Sequence, residues 1–249
     1  MKIKRSITSQ LLASVMVNSF YVMVNYPIVL TSTILAPFSL LLIITFVSHG
    51  ALTPIAIGGA LMMTMLASGT TMQQDLSHLK NDFKVQDMVV SSPTKPWIYL
   101  LGMALSEIVY SIPAIVVLGV LAALYIHSSI IGYLSIILVL LIIFAFASAI
   151  GFIFSTFSTD IVQSWAFTGI ISTILSAFAP VYYPITYIPM PFRYIAYLSP
   201  TTYAAEILQN TTGIISFSSG TILVDWIVII VVALAMVIIA VRKSKWRDE

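Results

Sequence analysis

The sequence predicts an all-α membrane protein: six transmembrane helices, an N-terminal interfacial helix and a re-entrant outer helical hairpin before the last helix. Two observations carry this prediction. Hydrophobic residues make up 59% of the 249 residues and charged residues only 8%, whereas soluble domains carry about 25% charged residues. Several apolar runs also reach about 20 residues, enough to cross a hydrocarbon core of about 30 Å. We therefore treat 1–249 as a single transmembrane domain.

The first apolar segment, 6–26, is the weakest candidate for a span. Its polar residues recur every three or four positions, along one stripe of a helix: Gln10, Ser14, Asn18, Tyr21 and Asn25. If the segment crossed the membrane, only three residues, 25–27, would turn the chain before the next span. We therefore predict that 6–26 is a helix lying in the membrane interface.

Length and apolarity place the six spans at 28–48, 54–73, 97–123, 131–155, 161–180 and 221–241. Ten of the eleven Lys and Arg residues fall before the first span, between the second and third, or after the sixth, and only Arg193 falls on the other side. Because basic residues concentrate in cytoplasmic loops, this pattern places both termini and the 74–96 loop in the cytoplasm. The prediction is a multi-pass protein of the cell membrane.

The fourth span carries small residues at four-residue spacing, Ala147, Gly151 and Ser155. Such a stripe lets another helix approach closely. Packing inside one bundle and contact between two subunits both explain it, and the sequence leaves the choice open.

The most unusual stretch is 181–212 with the proline before it, which reads PVYYPITYIPMPFRYIAYLSPTTYAAEILQ from residue 180. It is apolar and rich in tyrosine, yet five prolines interrupt it. Interrupted backbone is tolerated at membrane depth only where protein or a water-filled cavity covers it. We therefore predict an outer re-entrant segment. Its only charges, Arg193 and Glu206, either pair and close the hairpin or sit separately at the headgroups.

Glu107 is the only acid well inside a predicted span. Because an ionised carboxylate is costly in hydrocarbon, it needs water, a partner or a proton. It is either a residue of the substrate pathway or a carboxyl hydrogen-bonded between helices, with Ser106 or Tyr110 as candidate neighbours. Asp160 and Asp225 open the fifth and sixth spans, where a helix N-terminus favours an anion, and we interpret both as caps.

Several classes of function lack their signature. The sequence has no G-x-x-x-x-G-K-[ST] phosphate-binding loop, so we expect any ATP hydrolysis on another chain. It has no cysteine, and its three histidines fall in three separate predicted loops, so no metal site is predicted. An intramembrane hydrolase would need a nucleophile and base that cannot be recognised here. We expect a protein that is not an enzyme.

Two segments together resemble the membrane subunit of an ABC-2 type exporter. The first, QDMVVSSPTKPWIYLLGMALSE, has Ser92 and Pro93 where that family has a Ser or Thr followed by Pro before the third helix. The second is the outer segment, whose matching residues are Pro184, Pro200, Thr202, Tyr203 and Glu206. The chain departs from the family at Lys84, where a glycine is common, and at Gln209, near a common arginine.

The resemblance implies a complex of two permease subunits, identical or different, with two cytoplasmic ABC ATPase subunits that bind ATP and Mg. This chain itself would hold no cofactor, would contact membrane lipids and would bind no nucleic acid. The ATPases would push on the 74–96 loop through Asp82, Phe83, Lys84, Gln86, Asp87, Met88, Ser92 and Pro93. The outer gate would consist of Pro184, Arg193, Pro200, Thr202, Tyr203 and Glu206.

The function implied is export of a drug, lipid or glycan-like substrate, as in multidrug transport, with Glu107 as a candidate on the pathway. The alternative is a secondary transporter coupled to an ion gradient, with Glu107 as its proton site.

Overall fold

The chain is helical nearly throughout the residues described by a computed structural model, which are 6–81, 96–177 and 179–243, and these residues contain no β-strand. In chain order the elements are α1 (Ile7–Val15), a π-helical turn (Met16–Phe20), α2 (Tyr21–Asn25), α3 (Pro27–Val47), α4 (Thr53–Asn81), α5 (Pro96–Tyr125), α6 (Ile130–Ser155), α7 (Ile161–Ala177), a 3-10 turn (Ile185–Tyr187), α8 (Phe192–Ala196), α9 (Pro200–Thr211) and α10 (Ser219–Lys243). The predicted all-α membrane class is confirmed.

Among the described residues, five helices are long and apolar enough to cross a membrane: 7–25, 53–81, 97–125, 130–155 and 219–242. Two shorter apolar stretches, 33–47 and 161–176, lie on α3 and α7. Each predicted span therefore has a helix, and the protein is a multi-pass membrane protein. The count of six spans and the interfacial position of 6–26 stay predictions.

Helix α4 forms the centre of the bundle, and α3, α5, α6, α7 and α9 all pack against it. Small residues make this possible. A Cβ atom on Gly69 would lie 2.5 Å from the Cβ of Ala147, and one on Gly151 would lie 2.8 Å from the Gly69 carbonyl oxygen. The small residues of α6 thus pack against α4 within one subunit, which is the first of the two explanations the sequence allowed.

Helix α4 also runs to Asn81, beyond the predicted span end at 73. Polar side chains at four-residue intervals keep this extension attached to the bundle. The Gln73 amide donates to the Ser158 hydroxyl at 2.7 Å, and the Asn81 amide donates to the Ser158 carbonyl and the Ser77 hydroxyl, both at 3.1 Å. The first part of the predicted 74–96 loop is therefore helix, held by the connection between α6 and α7.

The N-terminal helix, residues 7–25, turns part of its polar stripe toward protein. The hydroxyls of Ser14 and Ser106 on α5 lie 3.5 Å apart, and the Asn18 amide donates to the Met103 sulfur at 3.4 Å. The opposite face is apolar, with Leu12, Val17 and Val24 between 62% and 64% exposed. Helix packing therefore explains part of the stripe that we attributed to the membrane interface.

Residues 179–212, here called the proline-rich segment, lie between α7 and α10 and contain the 3-10 turn, α8 and α9. A Cβ atom on Gly59 of α4 would lie 2.5 Å from the Val181 carbonyl oxygen, so the backbone of the segment touches the central helix. Helix α9 packs against α4, α6 and α10. Protein therefore covers much of this interrupted backbone, as its prolines require.

Candidate functional site

A cavity of about 620 Å³ lies between the N-terminal helix, α3, α4 and α5. Its walls are mostly apolar, with polar groups grouped along α4 and α5. The lining residues are Asn18, Val22, Thr33, Ala36, Pro37, Leu40, Met63, Thr64, Ala67, Ser68, Thr71, Gln74, Asp75, Glu107, Tyr110, Ser111 and Tyr182. Glu107, which the sequence singled out, is thus part of a cavity wall.

The Glu107 carboxyl is 6% exposed and meets two side chains of α4. The Thr71 hydroxyl donates to its Oε2 at 3.2 Å, and the Asp75 carboxyl is in side-chain contact with it. Thr71 and Asp75 are four residues apart, so they share the face of α4 that meets α5. The neighbours suggested from sequence are not its partners: the Ser106 hydroxyl donates to the Gly102 carbonyl at 2.7 Å, and the Tyr110 hydroxyl bonds to none of the residues that the structure describes.

Sequence reasoning missed Asp75 because it assigned this residue to a loop beyond a span ending at 73. The four-residue spacing between Thr71 and Asp75 could have identified it, because α4 continues to Asn81 and residues four apart in a helix share one face.

The far end of the cavity reaches the proline-rich segment at Tyr182. Met63 and Asp75 also line it and are twelve residues apart on α4, which corresponds to about 18 Å along a helix axis. The cavity therefore extends along a large part of the bundle, with Asp75, which is exposed, at one end.

In the proline-rich segment, Arg193 and Glu206 do not pair. The Arg193 guanidinium donates to the carbonyls of Thr186 at 3.1 Å and Ile188 at 3.2 Å. Glu206, which is fully buried, accepts a hydrogen bond from the Tyr197 hydroxyl at 2.8 Å. The hypothesis of an ion pair closing the hairpin is therefore not supported, because the 3-10 turn offers Arg193 backbone acceptors instead.

The other predicted gate residues shape the same segment. Pro184 precedes the 3-10 turn and Pro200 is the first residue of α9, a position where its missing N–H costs nothing. The Thr202 hydroxyl donates to the Ala196 carbonyl and the Tyr203 hydroxyl to the Tyr197 carbonyl, the latter at 3.0 Å. Both bonds tie α9 back to the end of α8. The role of these residues as a gate stays a prediction.

Two acids predicted as caps behave differently. The Asp160 carboxylate accepts a hydrogen bond from the Gln163 backbone N–H at 2.8 Å, so it caps α7. Asp225 does not cap α10, because that helix begins about a turn and a half earlier, at Ser219. The cap is Ser218, whose hydroxyl accepts a hydrogen bond from the Thr221 backbone N–H at 3.1 Å. Asp225 is instead 2% exposed inside the bundle.

The predicted ATPase-coupling residues, Asp82, Phe83, Lys84, Gln86, Asp87, Met88, Ser92 and Pro93, lie outside the described residues. The helices on either side, α4 and α5, do carry the two carboxyl groups of the cavity.

A bundle of long apolar helices defines a polytopic membrane protein. The chain belongs to the ABC-2 type transporter family, whose match covers residues 10–212. It is accordingly a membrane transport component, the permease part of an ABC transporter. A search of curated proteins found no match.

Proposed function

We propose that this chain is the permease subunit of an ATP-driven exporter in the cytoplasmic membrane, with both termini on the cytoplasmic side. The observation that carries the proposal is the family match over residues 10–212. Because the sequence has no phosphate-binding loop, ATP and Mg would bind to a separate ATPase. Two ATPase subunits and a second permease subunit, identical or different, would complete the transporter.

The coupling step would start at residues 82–93, between α4 and α5. The two helices joined by this stretch carry polar groups of the cavity: α4 carries Thr71 and Asp75, and α5 carries Glu107. A displacement of the intervening loop by the ATPases would therefore change the distance between the groups that line the cavity. This connection supports the proposed coupling role.

The substrate would be a drug, lipid or glycan-like molecule that passes through the cavity and leaves past the proline-rich segment. The cavity supports this path because it is continuous from Asp75 to Tyr182. In this scheme the proline-rich segment acts as the exit gate.

Site-specific cross-linking tests the proposal. In the purified complex, Met88→Cys should cross-link to the ATPase, whereas Ser218→Cys, exposed at the opposite end of the chain's helices, should not. The complex should hydrolyse ATP and concentrate substrate in inverted vesicles. Transport that persists without ATPase and collapses with a proton uncoupler would instead support an ion-coupled transporter using Glu107.

A further inference from the structure

We propose that the cavity between the N-terminal helix, α3, α4 and α5 binds a lipophilic organic cation, held by Asp75 and Glu107. Its role as a transport site rests on the function proposed above, but the binding itself does not.

The charge of the cavity is the first argument. Among the described lining residues, Asp75 and Glu107 are the only carboxylic acids, and there is no Lys, Arg or His. Glu107 is buried, and its carboxyl meets the Thr71 hydroxyl, which is neutral, and the Asp75 carboxyl, which is a second acid. Carboxylates at such a depth are normally balanced by a cation or a partner. The described lining residues supply no positive charge to these two neighbouring carboxyl groups, so a bound cation would balance them.

The second argument is the tyrosine at the other end. Tyr182 is 8% exposed, it lines the cavity, and its hydroxyl has no hydrogen-bond partner among the described residues. Buried hydroxyls are normally satisfied. The hydroxyl of Tyr110, beside Glu107 on the next turn of α5, is likewise without a partner. The two aromatic rings also offer faces that attract a cation.

The third argument is size and polarity. A volume of about 620 Å³ falls within the range of about 300 to 1,000 Å³ typical of sites for small organic ligands. Val22, Leu40 and Met63 make part of the wall apolar. A metal ion is a poor fit, since the described residues contain no group of three or more His, Cys, Asp or Glu side chains that could hold one. A large apolar cation matches the volume, the charge and the wall together.

Equilibrium binding of tritiated tetraphenylphosphonium to the purified chain in zwitterionic nanodiscs tests the proposal. Binding should saturate, and triphenylphosphine oxide, a neutral molecule of similar shape, should not compete. Glu107→Gln and Asp75→Asn should each weaken binding by about tenfold or more, because each removes a carboxylate facing the cation. Tyr182→Leu should weaken it several-fold.

The matched control is Asp160→Asn, which removes an acid outside the cavity and leaves an amide oxygen able to cap α7. It should bind tetraphenylphosphonium as the wild type does. If Glu107→Gln does not fold, Asp75→Asn at the exposed end of the cavity still provides the test. Equal affinity of wild type and Asp75→Asn, or competition by the neutral oxide, would overturn the proposal.

The two proposals fail in different ways. Loss of selective cation binding in a chain that still cross-links to an ATPase and supports transport would refute the cation site alone. Selective binding in a chain that associates with no ATPase would support the cation site and refute the exporter.

Discussion

Polar side chains inside this bundle meet specific partners on neighbouring elements. The Gln209 amide on α9 donates to the carbonyls of Pro180 at 2.8 Å and Tyr183 at 3.0 Å. The Thr201 hydroxyl of the same helix donates to the Leu175 carbonyl of α7 at 2.8 Å. Proline-broken backbone leaves carbonyls without helical partners, and α9 supplies the missing donors. These bonds fix where the proline-rich segment lies against the bundle.

Replacing Gln209 with Leu, a side chain of similar size, should destabilise the protein by about 1 to 3 kcal/mol, because the buried Pro180 carbonyl and the part-buried Tyr183 carbonyl lose their donor. The thermal unfolding midpoint in nanodiscs should fall, and limited proteolysis should cut residues 181–190 sooner. The control is Asn25→Leu, which removes an amide that is exposed and bonded to the Tyr21 carbonyl of its own helix. Equal effects of the two substitutions would contradict the anchoring role of Gln209.

Glu206 should make the stability of the folded protein depend on pH. Burial raises the pKa of its carboxyl above the ordinary 4.5, and the hydrogen bond from Tyr197 opposes this rise. A carboxyl with a higher pKa in the folded chain contributes stability below pH 4.5 that is lost as the pH rises through the folded-state pKa. Between pH 4.5 and neutrality, the unfolding midpoint should therefore fall less in Glu206→Gln than in wild type.

Tyr197→Phe provides the opposite test on the same carboxyl. It removes a hydrogen bond that favours the ionised form, so the pKa of Glu206 should rise further and the midpoint should fall more steeply with pH. Parallel pH profiles for wild type and both variants would show that Glu206 does not control this dependence.

The sequence pointed to single site residues but not to their partners. Glu107 was identifiable because an acid inside an apolar run is costly. Asp75 was not identifiable, because it lies on the same helix face as Thr71 only if α4 continues past residue 73. The sequence left open whether Arg193 and Glu206 pair, since charge alone cannot reveal that backbone carbonyls near the 3-10 turn and the Tyr197 hydroxyl are their partners.

Among the elements, α4 is central because its small residues let backbones approach from several sides. Gly69 faces α6 so closely that an added Cβ would lie 2.5 Å from the Ala147 Cβ and 2.8 Å from the Ser148 backbone nitrogen. Backbone cannot move away as a flexible side chain can. The contact between α4 and α6 therefore has no room for even a methyl group.

Gly69→Ala should destabilise the protein by about 1 to 3 kcal/mol through overpacking, seen as a lower unfolding midpoint in nanodiscs. The control is Gly169→Ala on α7, where an added Cβ meets nothing within 4 Å and where alanine favours helix. That variant should unfold at or above the wild-type temperature. Equal unfolding midpoints for Gly69→Ala and Gly169→Ala would show that α4 and α6 can move apart at little cost in stability.

The positions of the helices were easier to predict from the sequence than the contacts of single residues, because the length of an apolar run alone locates a long helix in a membrane protein. Each predicted span coincides with a helix, although α4 extends eight residues beyond its predicted end. The extension escaped prediction because most of its residues are polar. Asn81 at its end donates to the Ser158 carbonyl, a contact that only the folded bundle creates.

At the scale of the whole molecule, the cavity and the proline-rich segment lie in line. The cavity begins at Asp75, toward the end of α4 that precedes the 82–95 stretch, and ends at Tyr182. If the 82–95 stretch is cytoplasmic, the carboxyl pair faces the inside of the cell and the proline-rich segment faces outward. The direction of the proposed path thus depends on the topology of the chain.

Labelling of single introduced cysteines tests this topology. The chain has no native cysteine that would react in the background. With an impermeant maleimide, Ser218→Cys should react in intact cells, whereas Lys84→Cys and Ser6→Cys should react only after permeabilisation. Ser6 is the decisive position. The N-terminal helix is long and apolar enough to span, and a spanning helix would carry Ser6 outside while Lys84 stays inside. Labelling of Ser6→Cys in intact cells would replace six spans with seven, and labelling of Lys84→Cys there would reverse the orientation of the whole path.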